Sequence, residues 1–329
     1  MNTPNITMPS HCQQIKTEYE RLEQITKQVS LARENIGDSG DLTEVKKLQA
    51  EWEAAYKELE SKLFVSIEQA AEILGKENVF GSKEIQDTFG FSLENIPEIP
   101  FTTEDLERAK ELGQELILYV DSTENGEPLT AKKMKEITKN KTSTGTTLVA
   151  SDWFEADSVA DKITPRLGWH LSTKETIPKS ENKNYLQQTG NLVEYLKNEV
   201  FKNQTIPDQY QEAIDEFEKI KKSLEAGTIS QDEKLWKPAA EKLSKLKIND
   251  FCRENYAEVL YRMAIHEKKT KERLLDSKSR TTYYTWTNSR HSDGKLVNVG
   301  SFVSDGADVH GWAPRDSRSS IGVCFSRSE

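Results

Sequence analysis

The side chains best suited to chemistry are the histidines and aspartates of the last fifty residues. His291 and His310 lie in this stretch and could face one another across two strands, as a metal ion or a general base would need. Four aspartates offer the oxygen ligands that Ca²⁺ prefers: Asp293, Asp305, Asp308 and Asp316. Two of these stand in Ser-Asp-Gly triplets, however, which are ordinary β-turn sequences. We therefore expect turn and recognition roles here, with no metal and no cofactor.

The short motifs of common enzymes are missing from the sequence. It contains no phosphate-binding G-x-x-x-x-G-K-S/T, no G-x-G-x-x-G, no H-E-x-x-H and no G-x-S-x-G. Cys12, Cys252 and Cys324 are an odd number without metal-ligand spacing, so reduced thiols are expected. An acidic pair such as Glu104-Asp105 suits the first turn of a helix. No catalytic constellation emerges, and we expect a non-enzymatic protein.

Charge disfavours a nucleic-acid partner. The chain of 329 residues has a net charge of −10, which opposes nonspecific binding to phosphates. From Arg280 onward, five Arg and one Lys stand against four Asp and the final Glu329, so the tail is a nearly neutral island with a net charge of +1. Charged residues make up 30% of the chain, yet six Trp, ten Tyr and eleven Phe can fill a core.

No stretch of the sequence predicts a membrane segment. No run approaches the ~20 apolar residues that a spanning helix needs. The opening residues MNTPNITMPSHCQQ lack the basic and apolar regions of a secretory signal. A cytoplasmic location is expected, with export to the surface by another route left open.

The first 75 residues predict a helical hairpin. Apolar residues recur at steps of three and four in two segments, Ile15–Val29 and Val45–Leu63, with the turn Gly37–Asp41 between them. Residues 1–75 are thus a coiled-coil-like extension that could pack on the rest of the chain. Pairing with another copy through residues 15–63 would make a homo-oligomer.

Residues 76–329 predict an α+β domain, because helical and strand patterns alternate without a regular βαβ rhythm. Helices are expected after Thr103 and over residues 129–137, 184–201, 210–224, 231–246 and 253–275. Strands are expected over Glu115–Asp121, at Trp153-Phe154 and over Arg166–Leu171. The 64–100 segment predicts one short helix, Ile67–Leu74, followed by an extended connection at Pro97 and Pro100.

The tail, residues 281–327, differs in composition from the rest and predicts a binding surface. It is rich in Ser, Gly, Asp and Arg, and short apolar runs alternate with turn signals. We expect three or four short antiparallel strands at Tyr283–Trp286, Leu296–Phe302, Ala307–Trp312 and Ile321–Phe325. Polar residues crowd the connecting loops, and such a surface binds a ligand more often than it catalyses a reaction.

The last helix and the tail resemble the C-terminal half of the C-type lectin fold, as formylglycine-generating-enzyme-like proteins use it. The segment Arg253–Glu258 has the Arg and Glu of that group's helix start and lacks its proline. Tyr284–Ser289 resembles the first strand of the terminal sheet, and Gly322–Arg327 resembles the closing strand. The oxidase chemistry of the group uses a cysteine pair near the C-terminus, where this chain has Cys324 alone. The resemblance therefore implies a C-type lectin-like domain with helical insertions over residues 76–329.

More specifically, the tail resembles the variable region of proteins diversified by diversity-generating retroelements. In that system an error-prone reverse transcription that mutates at adenines rewrites the 3′ end of the gene. The pattern SR-x-SDG-x-LV-x-VG-x-F-x-SDGA can be read as a fixed frame interrupted by open positions. Frame residues, written as letters, would stay the same between copies of the gene, and open positions, written as x, would vary. The resemblance implies that the open positions contact the ligand: Asn288, His291, Asn298, Ser301, Val303, Asp308, His310, Gly311, Ala313, Arg315, Asp316 and Arg318, with Cys324 also open. The frame residues would form the sheet: Trp286, Leu296, Val299, Gly300, Phe302, Val309, Trp312, Gly322 and Phe325.

Three functional hypotheses follow. The first is a non-enzymatic binding protein whose tail recognises a protein or a glycan. The second is an enzyme or cofactor binder related to the formylglycine-generating group, which would depend on Cys324 or His310. The third is a structural protein that assembles through the 15–63 hairpin, with the tail as a plain packed sheet. Loss of binding with folding intact, after replacement of exposed tail residues, would favour the first hypothesis over the third.

Overall fold

The computed structural model describes residues 10–34, 42–63, 65–139, 145, 147–150 and 162–328. The chain divides into two compact units, one of Met1–Ser66 with Glu98–Thr102 and one of Ile67–Pro97 with Thr103–Glu329. The helix Ile67–Leu74 thus belongs to the second unit, although the sequence prediction placed it in the extension. The predicted strand at Trp153-Phe154 lies outside the described residues.

The first unit contains the predicted hairpin. Helices α1 (Ser10–Glu34) and α2 (Thr43–Leu63) pack along each other, with Leu22, Ile25 and Ala55 buried between them. The indole of Trp52 donates a hydrogen bond to Thr26 Oγ1 at 3.1 Å, which fixes the antiparallel register. The structure contains one chain, so self-association through residues 15–63 stays a prediction.

The second unit mixes helices with two small sheets, which confirms the α+β class. Its elements in chain order are α3 (Ile67–Leu74), β1 (Val79–Phe80), α4 (Ser82–Phe89), α5 (Thr103–Glu111), β2 (Gln114–Tyr119), α6 (Ala131–Ile137), β3 (Gly168–Thr173), α7 (Tyr185–Tyr195), α8 (Asp208–Ile229), α9 (Glu233–Ser244), α10 (Lys247–Cys252), α11 (Tyr256–Thr270), β4 (Tyr284–Arg290), β5 (Leu296–Val303), β6 (Gly306–Trp312), β7 (Ile321–Gly322) and β8 (Ser326–Arg327). A π-helical turn, Leu196–Val200, extends α7.

The two sheets have different strand orders. The first has the order β1-β2-β3-β8, with β1 parallel to β2 and the other pairs antiparallel. The second, which we call the tail sheet, has the order β6-β5-β4-β7. Its β4-β5-β6 core is antiparallel, as predicted. The C-type lectin fold itself stays a prediction.

The closing segment corrects one part of the tail prediction. Ile321–Phe325 was expected to be one antiparallel strand, but β7 pairs with β4 in parallel and β8 belongs to the first sheet. Between them the chain bonds to both sheets, because the amide of Cys324 donates to Thr285 Oγ1 at 2.9 Å and the amide of Phe325 donates to Thr173 Oγ1 at 3.0 Å. The end of the chain therefore connects the two sheets.

Helix α11 is the central element of the second unit. Every residue from Tyr256 to Glu267 is buried, and the helix packs on both sheets. It was predicted to run from Arg253 to Leu275. Instead, Asn255 caps it by accepting a hydrogen bond from the amide of Glu258 at 2.9 Å, and the chain leaves it at Lys271 in the left-handed conformation. The residues before the cap form a separate helix, α10.

Helix α4 was not predicted. Between Leu74 and the extended connection expected at Pro97 and Pro100, no further element was predicted, but Ser82–Phe89 is helical with Ile85 and Phe89 buried. A glycine stands at each end, and Gly90 adopts a φ of 80° as the C-cap. Eight residues between two glycines give too short a periodic pattern for recognition from the sequence.

A charged cluster lies inside the second unit where α11 meets β2 and β3. Arg262 donates from Nε and Nη2 to the two carboxylate oxygens of Glu254, each at 2.7 Å, and both side chains are 1% exposed. The Tyr119 hydroxyl donates to the same carboxylate at 2.7 Å. Beside this pair, Arg166 bonds to the buried carboxylate of Glu258 at 2.7 Å. These contacts satisfy charges that would otherwise be costly to bury.

His170 adds a pH dependence to this core. Burial lowers the pKa of its imidazole to about 4, so the folded protein holds it neutral where an unfolded histidine, with a pKa of about 6.5, takes up a proton. Stability from this group is therefore present above about pH 6.5 and is lost as the pH falls toward 4. Between pH 7 and pH 5 we expect a loss of about 2 kcal/mol. Urea unfolding at both pH values should show a smaller loss for His170→Gln, and an equal loss would contradict the assignment.

No helix among the described residues combines the length and the apolar character needed to cross a membrane.

Candidate ligand-binding surface

The tail sheet is buried along most of its length, and this burial determines which side chains reach solvent. Trp286 and Leu296 join a hydrophobic cluster formed with α7, α8, α9 and α10. Val299 and Val309 are 0% and 1% exposed, and they pair directly across β5 and β6. The frame residues predicted from the sequence are thus largely core residues. Solvent reaches the sheet at the Tyr284 end of β4 and along β6.

Five partly exposed side chains meet there, and we call them the aromatic corner: Tyr284, Asp308, His310, Trp312 and Arg318. The rings of His310 and Trp312 lie nearly parallel, with centroids 6.2 Å apart and an interplanar angle of 15°. Tyr284 lies 5.6 Å from the His310 ring and 6.0 Å from the Trp312 ring. The corner therefore presents three neighbouring aromatic rings at the surface.

A carboxylate lies against these rings. The Tyr284 hydroxyl donates a hydrogen bond to Asp308 Oδ2 at 3.0 Å, and His310 Nε2 is 4.0 Å from the same oxygen. Burial and the charge of Asp308 raise the pKa of Tyr284, so its hydroxyl stays protonated and can donate. The side chain of Asp308 remains 34% exposed. Its second oxygen is therefore available to a ligand.

Arg318 brings a cation to the corner from the loop after β6. Its guanidinium carbon lies 4.7 Å from the centroid of the Trp312 ring, a cation–π distance. The loop is held by backbone bonds, because the amide of Tyr185 donates to the carbonyl of Pro314 and the amide of Asn182 to that of Arg318, each at 3.0 Å. The position of Arg318 is thus determined by the fold of the loop.

Two neighbouring open positions, Arg315 and Asp316, hold the same loop in place with hydrogen bonds. Arg315 donates to the carbonyl of Ser230 at 2.9 Å, which joins the loop to the end of α8. Asp316 accepts a hydrogen bond from the amide of Ala313 at 3.0 Å. Both side chains are half-buried. They shape the loop as well as bordering the surface.

Three open positions have buried side chains, so they do not reach the surface. Asn298 is 0% exposed, Cys324 is 1% exposed and Ala313 is 5% exposed. Asn298 lies opposite His310 on one side and Trp286 on the other. Among the described residues, neither polar atom of its amide has a hydrogen-bond partner. Such a group is costly to bury, and it lies beside the aromatic corner as the cross-strand neighbour of His310.

The remaining open positions lie along the rim of the sheet. Asn288 is half-buried, and its side-chain amide donates to Asp250 at 3.4 Å. Ser301 has a φ of 50° at an irregularity in β5, and its hydroxyl donates to Ser277 at 3.1 Å. Val303 is half-buried at the end of the same strand. Of these residues, Ser301 borders the aromatic corner, because its side chain also bonds to Tyr284.

His291 and Gly311 lie beside the β4–β5 turn, and Gly311, between His310 and Trp312, belongs to the face of β6 opposite to the aromatic corner. Gly311 is close to the side chains of Lys295 and His291. Within the turn, Asp293 accepts hydrogen bonds from the amide and the ammonium group of Lys295. Partial burial alone would raise the pKa of Asp293, but these bonds and the neighbouring His291 outweigh it and lower the pKa to about 2. This aspartate is therefore committed to its turn, as the Ser-Asp-Gly sequence predicted.

The groups considered for catalysis were the two tail histidines and the cysteines. His291 adjoins Gly311, whereas the next residue, His310, points to the other face of β6, so the two imidazoles do not face one another. No group of three potential metal ligands occurs within the described ranges. Burial raises the pKa of the Cys324 thiol and raises that of Cys252 to about 12. A buried thiol of high pKa is a poor nucleophile.

Sequence reasoning missed the two residues that shape the corner. Tyr284 was assigned only to a strand, and Trp312 was assigned to the fixed frame. Both are half-exposed. Strand alternation gave no usable signal for Tyr284, because it is two residues from the buried Trp286 and shares its face of the sheet.

Comparison of the chain with protein-family models, with curated proteins and with solved structures gave no match.

Proposed function

We propose that this protein is a non-enzymatic ligand-binding protein whose tail, residues 281–327, is diversified by a retroelement and recognises its ligand at the aromatic corner. The observation that supports this proposal best is the convergence of three open positions, Asp308, His310 and Arg318, on the exposed rings of Tyr284 and Trp312. Aromatic rings beside charged groups are typical of binding surfaces.

The division between frame and surface also supports the proposal. Burial of the frame residues supplies stability at about 25 cal/mol per Å² of apolar area. Side chains at the exposed positions can change at little cost, typically within ~0.5 kcal/mol each. A scaffold of this kind tolerates many different surfaces. The proposed contact set is accordingly Asn288, His291, Ser301, Val303, Asp308, His310, Gly311, Arg315, Asp316 and Arg318, without the buried Asn298, Ala313 and Cys324.

The loop after β6 extends the candidate surface toward the helices. The residues that bond to its carbonyls, Asn182 and Tyr185, flank a groove of about 560 Å³ between α7 and α8. Leu186 and Phe217 contribute apolar surface to this groove, and Lys221 and Glu225 contribute charge. The groove is thus connected to the tail through the backbone bonds of this loop.

The C-type lectin-like fold is part of this proposal. Its support is the antiparallel β4-β5-β6 core, preceded by the buried helix α11 and followed by a chain end that returns to the first sheet. This order agrees with the resemblance drawn from residues 253–327.

Sequencing the locus in several related isolates tests the proposal. We expect a near-copy of the codons for residues 281–327 beside a reverse-transcriptase gene, differing from the coding copy mainly at adenines. The differences between isolates should fall at the exposed open positions and spare the codons of Trp286, Val299 and Phe302. A tail that is identical in all isolates, with no such repeat, would remove the retroelement from the proposal.

A further inference from the structure

We propose that the aromatic corner binds an arginine side chain of a protein ligand, and that Arg318 occupies that place in the free protein. The inference rests on the proposed function, because it names the ligand chemistry of the same surface. Its first support is Arg318 itself, whose guanidinium lies 4.7 Å from the Trp312 ring centroid. The ring is thereby shown to accept a planar cation.

The second support is the charge beside the rings. Asp308 is held between Tyr284 and His310 and is 34% exposed, so a guanidinium on the aromatic rings would have a carboxylate within reach. Planar guanidinium groups stack on aromatic faces and bind carboxylates with two parallel hydrogen bonds. The net charge of −10 also favours the approach of a cationic ligand over an anionic one.

The third support is the way Arg318 is held. Its backbone carbonyl accepts a hydrogen bond from Asn182 at 3.0 Å, whereas its side chain is exposed. The loop can therefore keep its course while the side chain swings away from Trp312. Arg318 makes no ion pair with Asp308 among the described residues, so a ligand arginine that displaces it and extends over Tyr284 and His310 would gain a contact that Arg318 lacks. The contact between Arg318 and Trp312 lowers the affinity for a ligand arginine, because only the molecules in which Arg318 has left the Trp312 ring can bind it.

Arg280 provides a matched charge control. It carries the same charge as Arg318 and lies outside the proposed contact set, and its guanidinium pairs with the carboxylate of Glu175. Removal of Arg280 changes the net charge by the same amount as removal of Arg318 and leaves the Trp312 ring covered. A difference between the two variants therefore reports on the cation–π contact and not on overall charge.

The test is a titration of protein labelled with 5-fluorotryptophan, in which Trp312→Phe identifies the Trp312 signal among those of the six tryptophans. The probes are N-acetyl-arginine amide, the neutral isostere N-acetyl-citrulline amide and methyl β-glucoside.

We expect the arginine probe to shift the Trp312 signal and the citrulline probe to leave it in place. Arg318→Ala should bind the arginine probe about five- to tenfold more tightly, and Arg280→Ala should bind it like the wild type. Asp308→Asn, which can still accept from Tyr284, should bind it about tenfold more weakly.

Four results would overturn the inference. Equal shifts with the arginine and citrulline probes would show that charge is not recognised. A response to the glucoside alone would assign the corner to a glycan and leave the proposed function standing. Weaker binding by Arg318→Ala would make that residue a contact and not a placeholder. If no probe shifted the Trp312 signal in either the wild type or Arg318→Ala, the inference would also be rejected. The sequence of the locus would still decide whether the tail is diversified.

Discussion

Replacing Glu254 with Gln is expected to lower the free energy of unfolding by about 3–5 kcal/mol, because it leaves the Arg262 guanidinium buried without a counter-charge. Both side chains are 1% exposed and joined by two bonds of 2.7 Å. Glu254 also accepts from the Tyr119 hydroxyl, and its backbone carbonyl accepts from the amide of Asn288 at 3.1 Å. One residue thus connects α11, the first sheet and the tail sheet.

Urea unfolding at pH 7 measures this effect, and Glu241→Gln is the matched control. Glu241 makes an ion pair of the same 2.7 Å length with Lys245, but its side chain is 47% exposed, so its replacement should leave the unfolding midpoint unchanged. The double replacement of Glu254 and Arg262 with Met should be more stable than Glu254→Gln, since it buries no unpaired charge. A Glu254→Gln midpoint equal to that of the wild type would show that the pair contributes nothing to stability.

The elements that could be predicted from the sequence are those in which one local pattern decides the structure. The apolar spacing of Val45–Leu63 requires a helix wherever that segment packs, and α2 is confirmed. The two Ser-Asp-Gly triplets are also local patterns, and they marked the turns that separate β4 from β5 and β5 from β6. Strand partners depend on contacts between distant parts of the chain. Hence the parallel pairing of β7 and the transfer of β8 to the first sheet could not be predicted from residues 321–327.

The candidate site was predictable only in part, because exposure depends on what covers each face of the sheet. Strand β5 is buried on both faces over Leu296–Gly300, so the position of Asn298 in an alternating pattern does not determine whether it reaches solvent. The family resemblance made Asn298 an open position at the surface, but the structure buries its side chain beside His310 on the neighbouring strand. Conversely, the resemblance assigned Trp312 to the fixed frame of the sheet, and it is half-exposed because β6 is the edge strand.

The sharpest difference between frame and open positions is expected at two glycines of the tail sheet. A Cβ atom at Gly300, a frame position, would lie 2.0 Å from the carbonyl oxygen of Tyr283 and 2.6 Å from the Cα atom of Tyr284. Both atoms belong to the backbone, so the strands β4 and β5 would have to separate. At Gly311, an open position, the nearest atom is the Cβ of Lys295 at 3.3 Å, a tight contact that a shift of a few tenths of an ångström relieves.

Gly300→Ala should therefore cost more than about 3 kcal/mol, beyond the usual range for overpacking, whereas Gly311→Ala should cost less than about 0.5 kcal/mol. Thermal unfolding followed by circular dichroism compares the two variants directly. Because Gly300 pairs with both Tyr284 and Asp308, its replacement should also disturb the aromatic corner. Equal stability of the two variants would contradict the division into frame and open positions, because that division requires the frame glycine to be irreplaceable and the open one to be free to vary.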